Sequence, residues 1–480
     1  MSERLEFDFL VIGSGPAGQK AAIQASKAGC RVALIERLRA VGGACVHSGT
    51  IPSKALREKA LQLTRARQVG NAFNMGLAAD VPLAQLIDGV EDIIRAHDHY
   101  MAAQLERNGI RCLRGRARFK SPSALDVLRI DGTTFEVRAP RVLIATGSRP
   151  RQPAELAVDH EHVLDSDSIL ALAYLPRSLV VVGGGVIACE YASTFAALGC
   201  AVTQVDCAAR PLGFLDAELS ERYVQALGAS GGRFLAGRSI ASAHWDGVEM
   251  VHVTLDGGTH LDADKMLIAQ GRIANVEGLG LECAGVKLTA RGLVEVNGEL
   301  QTTAAGIYAA GDVIGPPSLA SAAMEQGRRA ACHALGLLVG AGHELVPSGI
   351  YTIPEIATVG LDEAAARQKW GSVVVGRAEF HEIARGQIAG AQDGLLKLVS
   401  DPEGRTLLGV QIIGDGATEL VHIGQMGLAA GATVDQFVDC VFNFPTLAEA
   451  YRVAALDIVK RRGTRRPDPA VTTVTDAAVG

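Results

Sequence analysis

The sequence is poor in aromatic side chains, which make up only 4% of its 480 residues, and several marks of other protein classes are missing from it. No run approaches the roughly 18 uninterrupted apolar residues of a membrane-spanning helix. The opening MSERLEFDFL is charged where a secretory signal would carry an apolar core. The nine cysteines are odd in number, scattered, and include no CxxC pair, so neither a disulfide framework nor a structural zinc site is indicated. Free thiols fit a reducing compartment. Neither charge dominates: 46 Lys and Arg stand against 52 Asp and Glu, and a net charge of −6 gives no overall attraction for phosphate polymers or anionic lipid. These absences lead us to expect a soluble, cytoplasmic protein with no nucleic-acid or membrane partner.

What is present is glycine, 55 residues of it, in a chain that is 48% hydrophobic and 20% charged. That balance excludes disorder and collagen and fits a glycine-rich α/β enzyme. At about 150 residues per domain, the length predicts about three domains. FDFLVIGSGPAGQKAAIQASKAGCRVALIE reads as strand, glycine turn, helix, strand, and SLVVVGGGVIACEYASTFAALGCAVTQVD repeats that order at similar length. Such a duplicated βαβ unit implies two bound dinucleotides. RVLIATGSRPRQP reads as a crossing between the two units, the stretch near 270 as a return to the first, and the region from about 348 as a separate α+β domain. The final RRPDPAVTTVTDAAVG lacks periodicity and is predicted to be disordered.

Gly13, Gly15 and Gly18 form GxGxxG between a strand and a helix, and Glu36 ends the next strand. The first glycine permits the turn, the second admits a pyrophosphate, and the third lets helix pack on strand, while Glu36 is placed to accept ribose hydroxyls. The second fingerprint is Gly183, Gly185 and Ala188, with Asp206 at the end of the following strand. A carboxylate there bonds a ribose 2′-hydroxyl and repels a 2′-phosphate, which favours NAD(H); Arg210 nearby is placed to moderate that preference. Taken alone, Asp206 also reads as a strand-end turn former. His97 and His99 in RAHDHY lack an evident third ligand and read as a polar helix face, so no metal is expected. Lys460, Arg461, Arg462, Arg465 and Arg466 read as a solvated end.

The segment VGGACVHSGTIPSKAL resembles the active-site helix of the FAD-dependent pyridine nucleotide-disulphide oxidoreductases. In that family two cysteines five positions apart precede Pro-Ser-Lys. Here Cys45 matches the first, Thr50 stands in place of the second, and Pro52, Ser53 and Lys54 follow. The family's C-terminal His-Pro-Thr acid/base element reads Phe444, Pro445, Thr446, with Glu449 beyond it. Without a relay thiol or a general acid, reduction of a disulfide substrate is disfavoured. Both losses occur together in the soluble pyridine nucleotide transhydrogenase branch of the family. The stretches CVHSGTIPSKALR, GDVIGPPSLASAAMEQGR, GIYTIPEIATVG, HEIARGQIAG and NFPTLAEAYRVAALD are similar to that branch, over roughly residues 5–462.

The resemblance implies an α/β fold with two Rossmann-like dinucleotide-binding domains, for FAD and NAD(P), and a C-terminal α+β dimerisation domain. It divides the chain into 1–149 and 272–346 for FAD, 150–271 for NAD(P), 347–463 for dimerisation, and a tail at 464–480. It implies that Lys54 and Glu190 form an ion pair beside flavin N5, and that Asp312 binds the ribityl chain with Ala320 in the stretch lining the flavin ring. Gly43, Gly115, Thr146 and Gly147 would contact FAD, and Gly271 would lie at the coenzyme site. Lys54 alone would read as a solvated helix lysine, and Cys45 as a small residue packed near the flavin. The implied reaction is hydride exchange between NADP(H) and NAD(H) in a homodimer. Reduction of a quinone or dye, or non-catalytic sensing of NAD(P)H, are the alternatives. The family also implies a cis Phe444–Pro445 bond and a place for NFPTLAEA near the flavin of a second subunit.

Overall fold

The computed structural model describes residues 4–73, 83–153, 155–340 and 345–464. The tail expected from 464 onward lies outside the described residues, apart from Thr464 at the end of the last helix. The chain forms two bodies, one of residues up to 212 with 227–342, the other of 213–226 with the residues after 342.

The first body holds two five-stranded parallel sheets built on one plan. In one, Phe9–Ile12 lies between Val142–Ile144 and Val32–Glu36, with Ile307–Ala309 and Arg111–Arg114 outermost. In the other, Ser178–Val182 lies between Lys265–Ile268 and Ala201–Asp206, with Val163–Leu164 and Arg233–Ala236 outermost. The central strands are short apolar runs buried along nearly their whole length, as a parallel sheet covered on both faces requires. Each central strand feeds a glycine loop and then a helix, Pro16–Lys27 or Val186–Leu198. Small residues set the helix packing: at Gly327, in the helix Ala320–Ala334, a Cβ would stand 2.0 Å from the Ala17 carbonyl oxygen. The helices Gly43–His47 and Thr50–Ala72 follow the first unit and carry the segment around Cys45.

The second body is a five-stranded antiparallel sheet ordered Ser348–Ile350, Ile356–Gly360, Leu407–Ile413, Leu395–Ser400, Val374–Glu379. The helices Ala417–Ala429, Val434–Asp439 and Glu449–Thr464 share its core, in which Phe380 and Tyr451 are fully buried. Residues 213–226, within the stretch expected to belong to the NAD(P) domain, are part of this body. A charged cluster ties them to it. Lys397, 3% exposed, reaches Asp216 at 2.9 Å, Glu363 at 2.8 Å and Glu218 at 3.2 Å, and Arg377 donates to Glu218 at 2.9 Å. Of the basic run at the chain end, Lys460 and Arg461 are exposed, as expected, while Arg462 is half-buried and donates to Asp435 and to the Gly404 carbonyl; Arg465 and Arg466 lie outside the described residues. No helix among the described residues is long and apolar enough to cross a membrane.

Candidate functional site

The two glycine loops share several features. Gly13 N–H donates to the Ile35 carbonyl at 2.8 Å and Gly183 N–H to the Val205 carbonyl at 2.8 Å. Both residues have positive φ, +103° and +127°, and a Cβ on either would run into a backbone oxygen, that of Ala145 at 2.3 Å or Ala269 at 2.6 Å. Only glycine fits both demands. Gly15 and Gly185 cap their helices in extended conformation, with nothing within 4 Å of where a Cβ would stand. Each loop therefore leaves an open cradle at a helix N-terminus, the place where backbone N–H groups and the helix dipole receive a pyrophosphate.

The strand-end carboxylates differ in their surroundings. Glu36 is buried; its Oε2 accepts from Ser14 N–H at 3.0 Å and from the Ser14 hydroxyl at 2.6 Å, and its Oε1 accepts from Leu38 N–H at 2.9 Å. Gly115 N–H donates to the Glu36 carbonyl at 3.0 Å, so Gly115, φ +151°, stands beside it. Asp206 is half-buried. One oxygen accepts from Ala208 N–H at 2.6 Å, and the other lies 3.1 Å from where a Cβ on Gly184 would be. It is a turn former on one side and faces the glycine loop on the other. Arg210 is half-buried on the same loop.

Lys54 and Glu190 meet. Lys54 Nζ donates to Glu190 Oε2 at 2.6 Å, with side-chain exposures of 25% and 9%. Nearby, burial pushes the Cys45 thiol above its ordinary range, against the Thr50 hydroxyl and the Lys54 charge, which both act to lower it. A thiol so raised is protonated at neutral pH and is a poor nucleophile. All nine cysteines are free. Gly43, φ +62°, abuts the first loop, its absent Cβ 3.1 Å from Gly15 Cα. Thr146 and Gly147 are tied to Asn275, whose Nδ2 donates to the Thr146 carbonyl at 3.0 Å and whose N–H donates to the Gly147 carbonyl at 2.9 Å. Gly271, φ +99°, accepts from Arg151 N–H through its carbonyl at 3.0 Å. Ala320 opens the helix Ala320–Ala334.

Sequence reasoning overlooked a chain of polar groups behind Asp312. The Ser148 hydroxyl donates to Asp312 Oδ2 at 2.7 Å, and Arg272 holds Ser148 through Nε on the hydroxyl, 2.8 Å, and Nη2 on the carbonyl, 2.9 Å. The antiparallel pairing of Ser148–Pro150 with Arg272–Ala274 creates this contact. Ser14 was overlooked too, although its place between two fingerprint glycines is a visible signal. His97 and His99 lie on the helix Leu83–Arg107, and among the described residues no group of three His, Cys, Asp or Glu is placed to hold a metal. In the second body the Phe444–Pro445 bond is cis and Phe444 is 69% exposed. The Thr446 hydroxyl donates to the Asn443 carbonyl at 2.7 Å, and Glu449 accepts from Thr446 N–H at 3.4 Å.

The family model for pyridine nucleotide-disulphide oxidoreductases matches residues 7–327, and the model for the dimerisation domain of the same family matches residues 346–455. Among curated relatives, a protein of Mycobacterium tuberculosis (strain ATCC 25177 / H37Ra) named soluble pyridine nucleotide transhydrogenase is 43% identical, covering 95% of this chain and 98% of its own. One of the same name from Yersinia enterocolitica is 39% identical, covering 96% and 100%. Among solved structures, LpdA from Mycobacterium tuberculosis aligns with a TM-score of 0.86 at 29% identity over 94% of this chain and 99% of that one. The HOCl-induced flavoprotein disulfide reductase RclA from Escherichia coli, as its Cu(II) complex, aligns with a TM-score of 0.85 at 26% identity, again over 94% and 99%.

Proposed function

The chain belongs to the pyridine nucleotide-disulphide oxidoreductase family, and from that premise we propose that it is a FAD-dependent transhydrogenase moving hydride between NADP(H) and NAD(H). The observation that carries this reading is the pairing of an intact Lys54–Glu190 contact with Thr50, not a second cysteine, against Cys45. That combination supports a site that serves a coenzyme and a flavin and does not pass electrons to a disulfide.

FAD fits the first loop: Gly15 leaves the cradle open, Glu36 stands at the strand end for the adenosine ribose, Gly43 abuts the loop and Gly115 stands beside Glu36, and Thr146, Gly147, Asp312 and Ala320 are the further FAD contacts of this reading. When bound, FAD supplies a two-electron store that holds a hydride between coenzyme visits. Lys54, kept in place by Glu190, brings positive charge to the side where negative charge develops on reduction. Ser148 and Arg272 orient the Asp312 carboxylate. Gly183, Gly185 and Ala188 form the cradle for the pyridine nucleotide, Gly271 borders it, and Asp206 and Arg210 meet the adenosine ribose, the carboxylate favouring NAD(H) and the guanidinium admitting NADP(H). With one such cradle, the two coenzymes take turns, each product leaving before the other substrate enters.

The division into 1–149 and 272–346 for FAD, 150–271 for the pyridine nucleotide and 347–463 for dimerisation follows from the same reading, and the dimerisation-domain match supports a homodimer. Nine thiols free of disulfides support a reducing, cytoplasmic setting. Steady-state turnover of NADPH with an NAD analogue, with lipoamide and with a quinone tests the reading. Transfer to the analogue should exceed the other two; preferential quinone reduction would replace the proposed acceptor.

A further inference from the structure

The second glycine loop is held from beneath by a side chain outside its fingerprint. Gln204, on the strand Ala201–Asp206, is fully buried. Its Nε2 donates to the Gly183 carbonyl at 2.9 Å and to Cys189 Sγ at 3.3 Å. The next carbonyl of the loop, that of Gly184, accepts from Leu212 N–H at 2.7 Å and from the Cys189 thiol at 3.7 Å. Two successive carbonyls are thus tied to the protein.

In a trans peptide a carbonyl and the following N–H point to opposite sides. Tying down the Gly183 and Gly184 carbonyls therefore turns the N–H groups of Gly184 and Gly185 away from these partners, as successive amides of an anion-receiving loop must be turned. The first loop is held differently. Its middle residue, Ser14, is fixed by its own N–H and hydroxyl on Glu36, and the Gly13 carbonyl lies 2.0 Å from where a Cβ on Gly18 would stand. In the second loop Gly183, Gly184 and Gly185 are consecutive and offer no side chain to tie. Residue 188 carries the Cβ that residue 18 lacks, so the Gly183 carbonyl cannot occupy the equivalent place. A run of glycines samples many more backbone conformations than other residues, and each must be given up when a ligand binds.

We propose that Gln204 is a positioning residue of the pyridine-nucleotide site: its buried amide fixes the Gly183–Gly184 peptide so that the loop meets the coenzyme pyrophosphate with its N–H groups already aimed. The proposal rests on the assignment of the second loop to the pyridine nucleotide. Because NAD(H) and NADP(H) share the pyrophosphate, Gln204 acts on both alike, whereas Asp206 acts on the ribose and separates them.

The test uses the FAD-loaded full-length chain carrying Gln204→Met, which keeps length and loses the donor, or Gln204→Asn, which withdraws the amide by one methylene. Dissociation constants for NAD+, NADP+ and ADP-ribose are measured by titration, and flavin reduction is followed over a range of NADH and NADPH. Loss of the bond to the Gly183 carbonyl and of loop order should weaken all the nucleotides by about tenfold. The NADPH-to-NADH preference and the limiting reduction rate should each stay within about twofold, about 0.4 kcal/mol. A purely structural role would lower FAD content and limiting rate together with affinity. Unchanged affinities in either FAD-loaded variant, a loss confined to one coenzyme, or loss of FAD would overturn the proposal. Binding is read on the wild type before any turnover, so a protein that binds both coenzymes but does not exchange hydride would remove the functional reading while the affinities still decide the role of Gln204.

Discussion

Lys54 Nζ lies 2.6 Å from Glu190 Oε2, joining the helix Thr50–Ala72 to the helix Val186–Leu198 that follows the second glycine loop, across 136 positions of sequence. On the proposed reading, this is the side on which hydride crosses between the two nucleotides. Replacing Lys54 with Met removes the positive charge there and the bond it gives to a largely buried carboxylate. Hydride transfer from NADPH, followed by stopped-flow flavin absorbance at saturating coenzyme, should slow by roughly 50-fold, about 2.3 kcal/mol. Glu190→Gln should cost less, and the double variant should fall well short of the sum because both changes break one contact. A Lys54→Met rate within about threefold of wild type would show that the pair has no electrostatic role in transfer.

Cys45 is a protonated, partly buried thiol with a hydroxyl in place of a partner. Cys45→Ser should therefore leave flavin reduction by NADPH within about tenfold, a barrier change under about 1.4 kcal/mol. Thr50→Cys restores a second thiol but supplies no proton donor, since Phe444 stands at the acid position. Efficient lipoamide reduction by that single variant would contradict this reading of the site.

Asp206 has one oxygen engaged by Ala208 N–H and the other facing the glycine loop, so its charge is available to a bound ribose. Opposed to a 2′-phosphate at about 4 Å, a carboxylate costs roughly 4 kcal/mol at an effective dielectric near 20, and less where solvent reaches the site. Asp206→Ser should raise kcat/KM for NADPH relative to NADH, and Arg210→Ala should lower it. An unchanged ratio in Asp206→Ser would mean that the carboxylate does not read the ribose.

The glycine loops, their strands and their carboxylates were legible in the sequence because each feature is local: a turn needing positive φ, a helix start, a strand end. The pairing of Lys54 with Glu190 was legible only through resemblance, since nothing in the spacing of two residues so far apart brings them together. Arg272 follows Gly271 directly, yet its bond to Ser148 depends on an antiparallel pairing that joins residues 124 positions apart. Gln204 offered a signal that went unused, a lone amide inside an apolar strand, which must find a partner when buried. The allegiance of residues 213–226 was hidden for another reason. Nothing in the sequence around Asp216 and Glu218 announces their partner, Lys397, which lies in a buried strand far along the chain.

That cluster gives the second body a distinct pH response. Burial alone would raise the Glu363 carboxyl, but its bonds to Lys397 and Arg367 outweigh burial and bring it to about 2. Glu218 is lowered likewise: burial opposes, and Arg377 and Lys397 prevail. Carboxylates whose folded values are depressed add stability that is present above their ordinary value, near 4.5, and is lost as pH falls toward 2. Lys397→Met, by taking the cation away from the buried Asp216 carboxylate, should destabilise the protein by about 3 kcal/mol near neutral pH. The gap between wild type and variant, read as Tm, should narrow as pH falls below that range. A gap that stays constant from neutral pH into acid would show that these charges do not hold the segment in place.

The central claim is that a hydride taken from one pyridine nucleotide is returned to the other, with no thiol between. It is tested most directly by anaerobic double mixing, in which the enzyme first takes one equivalent of NADPH and then meets NAD+, lipoamide or a quinone in separate runs. The account predicts that NAD+ reoxidises the flavin fastest and yields NADH in step with it, while lipoamide leaves the flavin reduced. Reoxidation by lipoamide or quinone that outruns NAD+ would contradict it.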